Sequence, residues 1–169
     1  MKKLSKDFFK QDTVKVARQL IGKILQVDNI KARIIEVEAY KQDKASHAYK
    51  KTPRSELMYD TYGHVYVYLI YGMYYCLNFT TDTKPGAVLI RALNYPNCNG
   101  PGKVCKTLKI TKKDNGVEIG NRFKLFDDEY KTKIIATERI GIKEDKHLKW
   151  RFIDKKFIDE KFIDKKYIK

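Results

Sequence analysis

The chain has 169 residues, 43% of them hydrophobic, enough for one domain that builds its own core without cross-links. Lysine and arginine (36) outnumber aspartate and glutamate (21), giving +15, of which the last fifteen residues supply only +3. That excess points to a polyanionic partner, nucleic acid before an acidic membrane surface, although lysine-heavy codon usage explains the charge alone equally well.

The opening MKKLSKDFFK has no apolar stretch to follow its charges, which speaks against a secretory signal and for an intracellular protein. Residues 12–21 are predicted as a helix: Asp12 or Thr13 caps it, Val14, Ala17 and Ile21 share a face, and Gly22 stops it. KILQV (23–27) and IKARIIEVEAY (30–40) flank Asp28–Asn29 and read as a strand pair. Residues 41–56 read as a polar loop, in which Thr52 caps a short helix with Pro53 at its first position. HVYVYLI (64–70) and YYCLNFT (74–80) are strands joined by a tight hairpin through Tyr71, Gly72 and Met73. AVLIRAL (87–93) returns as a third strand after the TDTKPG turn. The uncharged run Val65–Thr81 falls short of the roughly 18–20 apolar residues of a membrane span.

NYPNCNGPG is a compact loop opening a helix in GKVCKTLKI (102–110). Its first amides, at Gly102 and Lys103, would favour an anion such as phosphate. Residues 114–150 alternate turns with short strands such as KIIATERIGI. After Trp150 the chain nearly repeats, FIDKK, FIDEK, FIDKKYIK, at a period of five that suits neither helix nor strand. Residues 155–169 are therefore expected as a basic low-complexity tail, contributing nothing to the core, behind a single domain of residues 1–154. The fold class is α+β: a largely antiparallel, curved sheet with peripheral helices and a protruding β-hairpin.

Strand alternation in RIIEVEAY puts Glu36, Glu38 and Tyr40 on one face and Ile35, Val37 and Ala39 on the other. Two carboxylates beside an aromatic ring suit acid–base work next to a planar group; an exposed acidic face offsetting nearby lysines is the plainer explanation. His47 lies in the polar loop. The three histidines form no H-x-x-x-H pair, and Cys76, Cys98 and Cys105 lack C-x-x-C spacing, so neither a metal nor a disulfide framework is indicated. Seven of the twelve tyrosines lie between Tyr59 and Tyr75. Tyr66 and Tyr68 share a strand face, and Tyr71 sits at the hairpin tip, a placement suited to entering a base stack. A tyrosine-rich sheet packed on a helix is the competing explanation.

Taken in order, RIIEVEAY, ASHAYKKTPR, HVYVYLIYGMYYCLN, GAVLIRAL and NGPGKVCKTLKI closely resemble the alkyladenine (3-methyladenine) DNA glycosylase family, from about Phe8 to Phe152. The resemblance implies hydrolysis of the N-glycosidic bond of alkylated or deaminated purines in double-stranded DNA, by water, without metal or cofactor, by a monomer. It implies Glu38 as general base, Arg91 as the residue holding that carboxylate and the water, and the Ile140 carbonyl as the remainder of the water site. Tyr40, His47 and Tyr68 would line the base pocket, Asn78 would crowd the exocyclic amine of normal guanine, and Tyr71, Met73 and Tyr74 would fill the gap in the duplex. Glu36 becomes secondary. The loops at Tyr40–His47 and Leu93–Gly100 look shorter than in animal members of the family. A non-catalytic nucleic-acid-binding module would account for the charge and Tyr71, though not for Glu38, Tyr40 and Arg91 together.

Overall fold

A computed structural model describes residues 1–82, 84–158 and 163. Asp12 caps helix α1 (Thr13–Leu20), its side chain accepting from the Val14 and Lys15 amides, which the first turn leaves without helical partners. The buried face of α1 is Thr13, Val16, Ala17 and Leu20. Ala17 and Ile21 of the predicted stripe are buried, whereas Val14 is only half-buried.

Among the described residues nine strands form one sheet: β1 (Lys2–Leu4), β2 (Ile24–Val27), β3 (Ile30–Tyr40), β4 (Val65–Ile70), β5 (Tyr74–Thr80), β6 (Ala87–Asn94), β7 (Phe123–Asp127), β8 (Ile134–Thr137) and β9 (Arg151–Asp154). The order is β1-β7-β2-β3-β6-β5-β4, with β9 joined to β3 and β8 to β9. The pairings are antiparallel throughout the described residues. With the helices at its periphery the domain is α+β, as its sequence predicts. Helix α2 (Glu56–Asp60) begins after Ser55, not at Thr52. Thr52 and Ser55 instead bond each other across the preceding turn. Helix α3 (Pro101–Thr107) packs on β5 and β6.

Strand β3 organises the sheet. Its first half pairs with β2 (Ile30–Arg33) and its second half with β9 (Glu36–Glu38), while β6 runs along its other edge. Where the partner changes, the register of β3 with β6 shifts twice, leaving Ile35 and Arg91 as extra residues. Such bulges put two successive residues on the same side of a strand. Ile34, Val37 and Ala39 enter the main core with Ile90 and Leu93, whereas Ile35 and Ala92 enter a second cluster with Ile153. Ile35 therefore does not share a face with Val37 and Ala39: strict alternation fails at the bulge.

The second cluster also corrects the expectation for the repeat. Lys155–Phe157 form a 3-10 turn capped by the Asp154 carboxylate, which accepts from the Lys156 amide. Phe157 and Ile163 are buried against Ile35, Ala92 and Ile153. A five-residue period suits no regular element, yet single apolar residues from it join the cluster that holds Ile35 and Ala92. The other residues of the repeat beyond Ile158 lie outside the described residues.

Candidate active site

Both carboxylates of β3 are buried, Glu38 fully. Neither belongs to an exposed acidic face. Glu38 Oε2 accepts from the Tyr40 hydroxyl (2.7 Å) and Oε1 from the Ile140 amide (2.6 Å). Arg91 Nη1 stands 3.6 Å from Oε1, an ion pair beyond hydrogen-bond length. The direct partner of Arg91 is Glu36, whose Oε1 accepts from Arg91 Nε (3.2 Å) and from the fully buried Arg151 Nε (2.6 Å). Glu36 thus acts on the site through the arginine. Arg91, the extra residue of the β6 bulge, meets both acids at once.

Glu38 lies just behind the wall of a cavity of about 510 Å³. Tyr40, His47, Tyr68, Asn78, Arg91, Ile140 and Tyr71, all predicted site residues, line it. The wall is rich in phenols because alternate residues of β4 that face it are tyrosines, while β5 adds alternate residues of its own. Tyr66 and Tyr68 come from β4, Cys76 and Asn78 from β5. Both Asn78 amide protons are engaged, by the carbonyls of Tyr66 (3.2 Å) and Cys76 (3.3 Å), so the side chain is fixed. Burial pushes the Tyr40 and Tyr68 phenols well above the usual range, with the Glu38 charge adding to it. They remain hydroxyls at neutral pH. Ile140 reaches Glu38 through its N–H, a contact beside the carbonyl role that the resemblance implies for it.

His47 heads a short 3-10 turn whose preceding Ser46 accepts from the Ala48 amide. Its ring meets Tyr68 edge to face (centroids 4.5 Å apart), and Nδ1 lies 3.2 Å from the Tyr66 hydroxyl. Packing at the cavity wall, then the nearby Arg54 guanidinium, lowers its pKa to about 4. Between its ordinary value of about 6.5 and that value the unfolded chain binds more protons, so this group's contribution to stability falls as pH drops through the window. An NMR titration of the imidazole should place the midpoint near 4; a midpoint near 6.5 would mean that the ring is not packed as described.

The hairpin is exposed. Tyr71 (85%), Met73 (67%), Tyr74 and Leu69 supply four of the six large hydrophobic side chains left open to solvent among the described residues. A cluster of this kind marks a contact surface. Tyr71 (φ 52°) and Gly72 (φ 65°) both take left-handed backbone, and the Met73 amide bonds the Ile70 carbonyl, as in a type I′ turn. Gly suits that conformation, whereas a tyrosine in it is uncommon. Tyr71 touches the cavity rim; Met73 and Tyr74 lie outside the lining.

Gly102 and Lys103 stand apart from the cavity wall. A Cβ on Gly102 would come within 3.1 Å of the Tyr74 side chain, so this glycine lets α3 approach the hairpin base. The Lys103 ammonium donates to Asn99 Oδ1 (3.0 Å) on the surface. Cys76, Cys98 and Cys105 are buried free thiols, with the Cys76 thiol pushed up to about 11 by burial. Sequence reasoning missed Arg151, Arg54 and Tyr66 as site residues. Only Tyr66 carried a signal, its alternation with Tyr68.

Fold and site together define a one-domain protein with an aromatic-walled cavity, a buried carboxylate behind that wall and an exposed aromatic hairpin at its rim. The model of the family described as Methylpurine-DNA glycosylase (MPG) matches residues 7–97 and 94–157. The two matched segments meet within the Leu93–Gly100 loop. Proteins from Clostridium novyi (40% identical, covering 90% of this chain and 94% of that protein) and Sodalis glossinidius (43%, covering 88% and 95%) are similar along nearly their whole lengths. A third, from a Wolbachia of Culex pipiens, is 43% identical and covers 88% of both chains. All three bear the name "Putative 3-methyladenine DNA glycosylase". The chain belongs to the methylpurine-DNA glycosylase family, DNA repair hydrolases acting on N-glycosyl bonds.

Proposed function

We propose that this protein is a monofunctional, monomeric DNA glycosylase, acting inside the cell. It flips alkylated or deaminated purines, the class of 3-methyladenine, 7-methylguanine, hypoxanthine and ethenoadenine, out of double-stranded DNA. It then hydrolyses the N-glycosidic bond and leaves an abasic site. The observation that carries this reading is the carboxylate of Glu38, held by Tyr40 and Ile140 immediately behind a cavity whose rim bears Tyr71.

A base within a duplex cannot enter a cavity, so the nucleotide must leave the stack at a cost of a few kcal/mol. Tyr71, with Met73 and Tyr74 beside it, takes the vacated place. Stacking of an aromatic ring on a base is worth about 1–3 kcal/mol. Tyr40, His47 and Tyr68 hold the extruded purine, and a cationic alkylated base gains from electron-rich rings. Water attacks C1′ as the C–N bond breaks; its proton passes to Glu38 and the bonding electrons leave with the purine. Arg91, anchored on Glu36, steadies the carboxylate. Asn78 crowds the guanine amine. Gly102 and Lys103 remain the proposed phosphate contacts, Lys103 through its charge. No helix among the described residues is long and apolar enough to cross a membrane, and a DNA substrate calls for none.

A duplex carrying one hypoxanthine, incubated with the protein, should break at the lesion only after alkali. Binding without breakage would leave a non-catalytic module. Breakage without alkali, with a borohydride-trapped adduct, would mean an amine nucleophile. Tyr71→Ser should slow excision from the duplex more than from a flexible bulge carrying the same base.

A further inference from the structure

We propose that the buried Arg139–Asp43 pair aims the Ile140 amide at Glu38, which makes Arg139 a positioning residue for the proposed reaction. The inference rests on the reading of Glu38 as the base. Arg139 immediately precedes Ile140, so any rotation of the peptide between them moves the N–H that Glu38 Oε1 accepts. Its side chain is fully buried, and the guanidinium is fixed from several sides. Nη2 donates to Asp43 Oδ1 (2.8 Å), while Nη1 donates to Asp43 Oδ2 (3.2 Å) and to the Ala39 carbonyl (3.1 Å). The central carbon of the guanidinium lies over two rings, 4.8 Å from the centroid of Tyr40 and 5.2 Å from that of Trp150.

Burial of an ion pair is costly, and well-packed apolar residues often serve stability as well or better. Here the cost includes Arg139 Nε, which is buried without a hydrogen-bond partner. What an apolar residue could not supply is direction. The fork ties Ala39, between Glu38 and Tyr40, to the backbone that carries the Ile140 amide, and the Trp150 carbonyl accepts from the Ala39 amide (2.8 Å). Asp43 also accepts from the Lys41 and Ala45 amides, shaping the loop that leads through Ser46 to His47. One carboxylate thereby holds the His47 wall of the cavity and, through Arg139, the donor to Glu38. Tyr40 rests on the same guanidinium.

The test uses Arg139→Lys and Asp43→Asn in the full chain, with a hypoxanthine duplex as the probe. Single-turnover excision at saturating enzyme is expected to fall about 10²-fold, the scale of a misplacement near 1 Å, while the dissociation constant for the lesion duplex changes less than threefold. The Ile140 amide proton should move upfield as its short bond to Glu38 lengthens, a change that a merely structural role would not produce. Folded variants with excision intact would overturn the proposal. So would a loss matched by weaker binding with the Ile140 resonance unmoved. Glu38→Gln is run alongside: normal excision by that variant sinks the reading of Glu38, whereas its inactivity beside an active Arg139→Lys sinks only this proposal. If Arg139→Lys does not fold, Asp43→Asn, which keeps the arginine and one acceptor oxygen, decides by the same two readouts.

Discussion

Glu38→Gln should bind lesion-containing duplex about as tightly as the native protein and excise about 10²–10⁴-fold more slowly, the contribution expected of a general base. The substitution is nearly isosteric, and the surroundings accept it. The amide oxygen can still take the Ile140 N–H, and the amide nitrogen can donate to the Tyr40 hydroxyl, which is able to accept as well as donate. The cavity wall therefore keeps its shape, while the group that would take a proton from water is gone. Single-turnover rates at saturating enzyme, with separate binding curves, check this. Excision within a few-fold of native would remove Glu38 from its role. Glu36 cannot replace it, because its carboxylate is already engaged by Arg91 and Arg151.

A chain ending at Asp154 should be markedly less stable. Phe157 and Ile163 are both buried, and burying such a side chain is worth about 1.5–3 kcal/mol. Losing both removes roughly 3–6 kcal/mol, and in a chain of this size 1 kcal/mol moves the melting temperature by about 2–4 °C. A fall of about 6–24 °C is expected by calorimetry. An unchanged melting temperature would mean that the repeat does not pack on the sheet. The loss also reaches the site, because Ile35 adjoins Glu36 and Ala92 adjoins Arg91 in the two bulges. Excision should therefore decline at temperatures where the truncated chain is still folded. The salt dependence of DNA binding should change little, since only +3 of +15 lies in residues 155–169.

Much of this molecule was legible in order along the chain. Local rules suffice for a capped helix at Asp12, a strand pair across Asp28–Asn29 and a hairpin turning at Tyr71–Gly72. Capping, alternation and turn chemistry depend on neighbours a few residues apart. The long blocks around Glu38 and Tyr71 carried the family resemblance, and seven of the residues it named line one cavity. The strand alternation that placed Tyr66 beside Tyr68 also held, since β4 carries no bulge in its register with β5.

What sequence alone left open lies where distant segments meet. The bulges at Ile35 and Arg91 appear where β3 exchanges β2 for β9. No period within RIIEVEAY announces that exchange, because its cause is a strand 115 residues further on, where Arg151 meets Glu36. The same holds for Arg139 beneath Tyr40 and for Phe157 and Ile163 against Ile35. A lysine-rich repeat looks like a solvated tail until the distant residues that its apolar side chains meet are known. Most contacts of the buried acid are also non-local: alternation placed Glu38 beside Tyr40, but only the assembled sheet brought it Arg91 and the Ile140 amide. The sequence determined which side chains were available for the chemistry. Tertiary structure decided which of them face one another, because that depends on register and burial, properties that no single segment possesses.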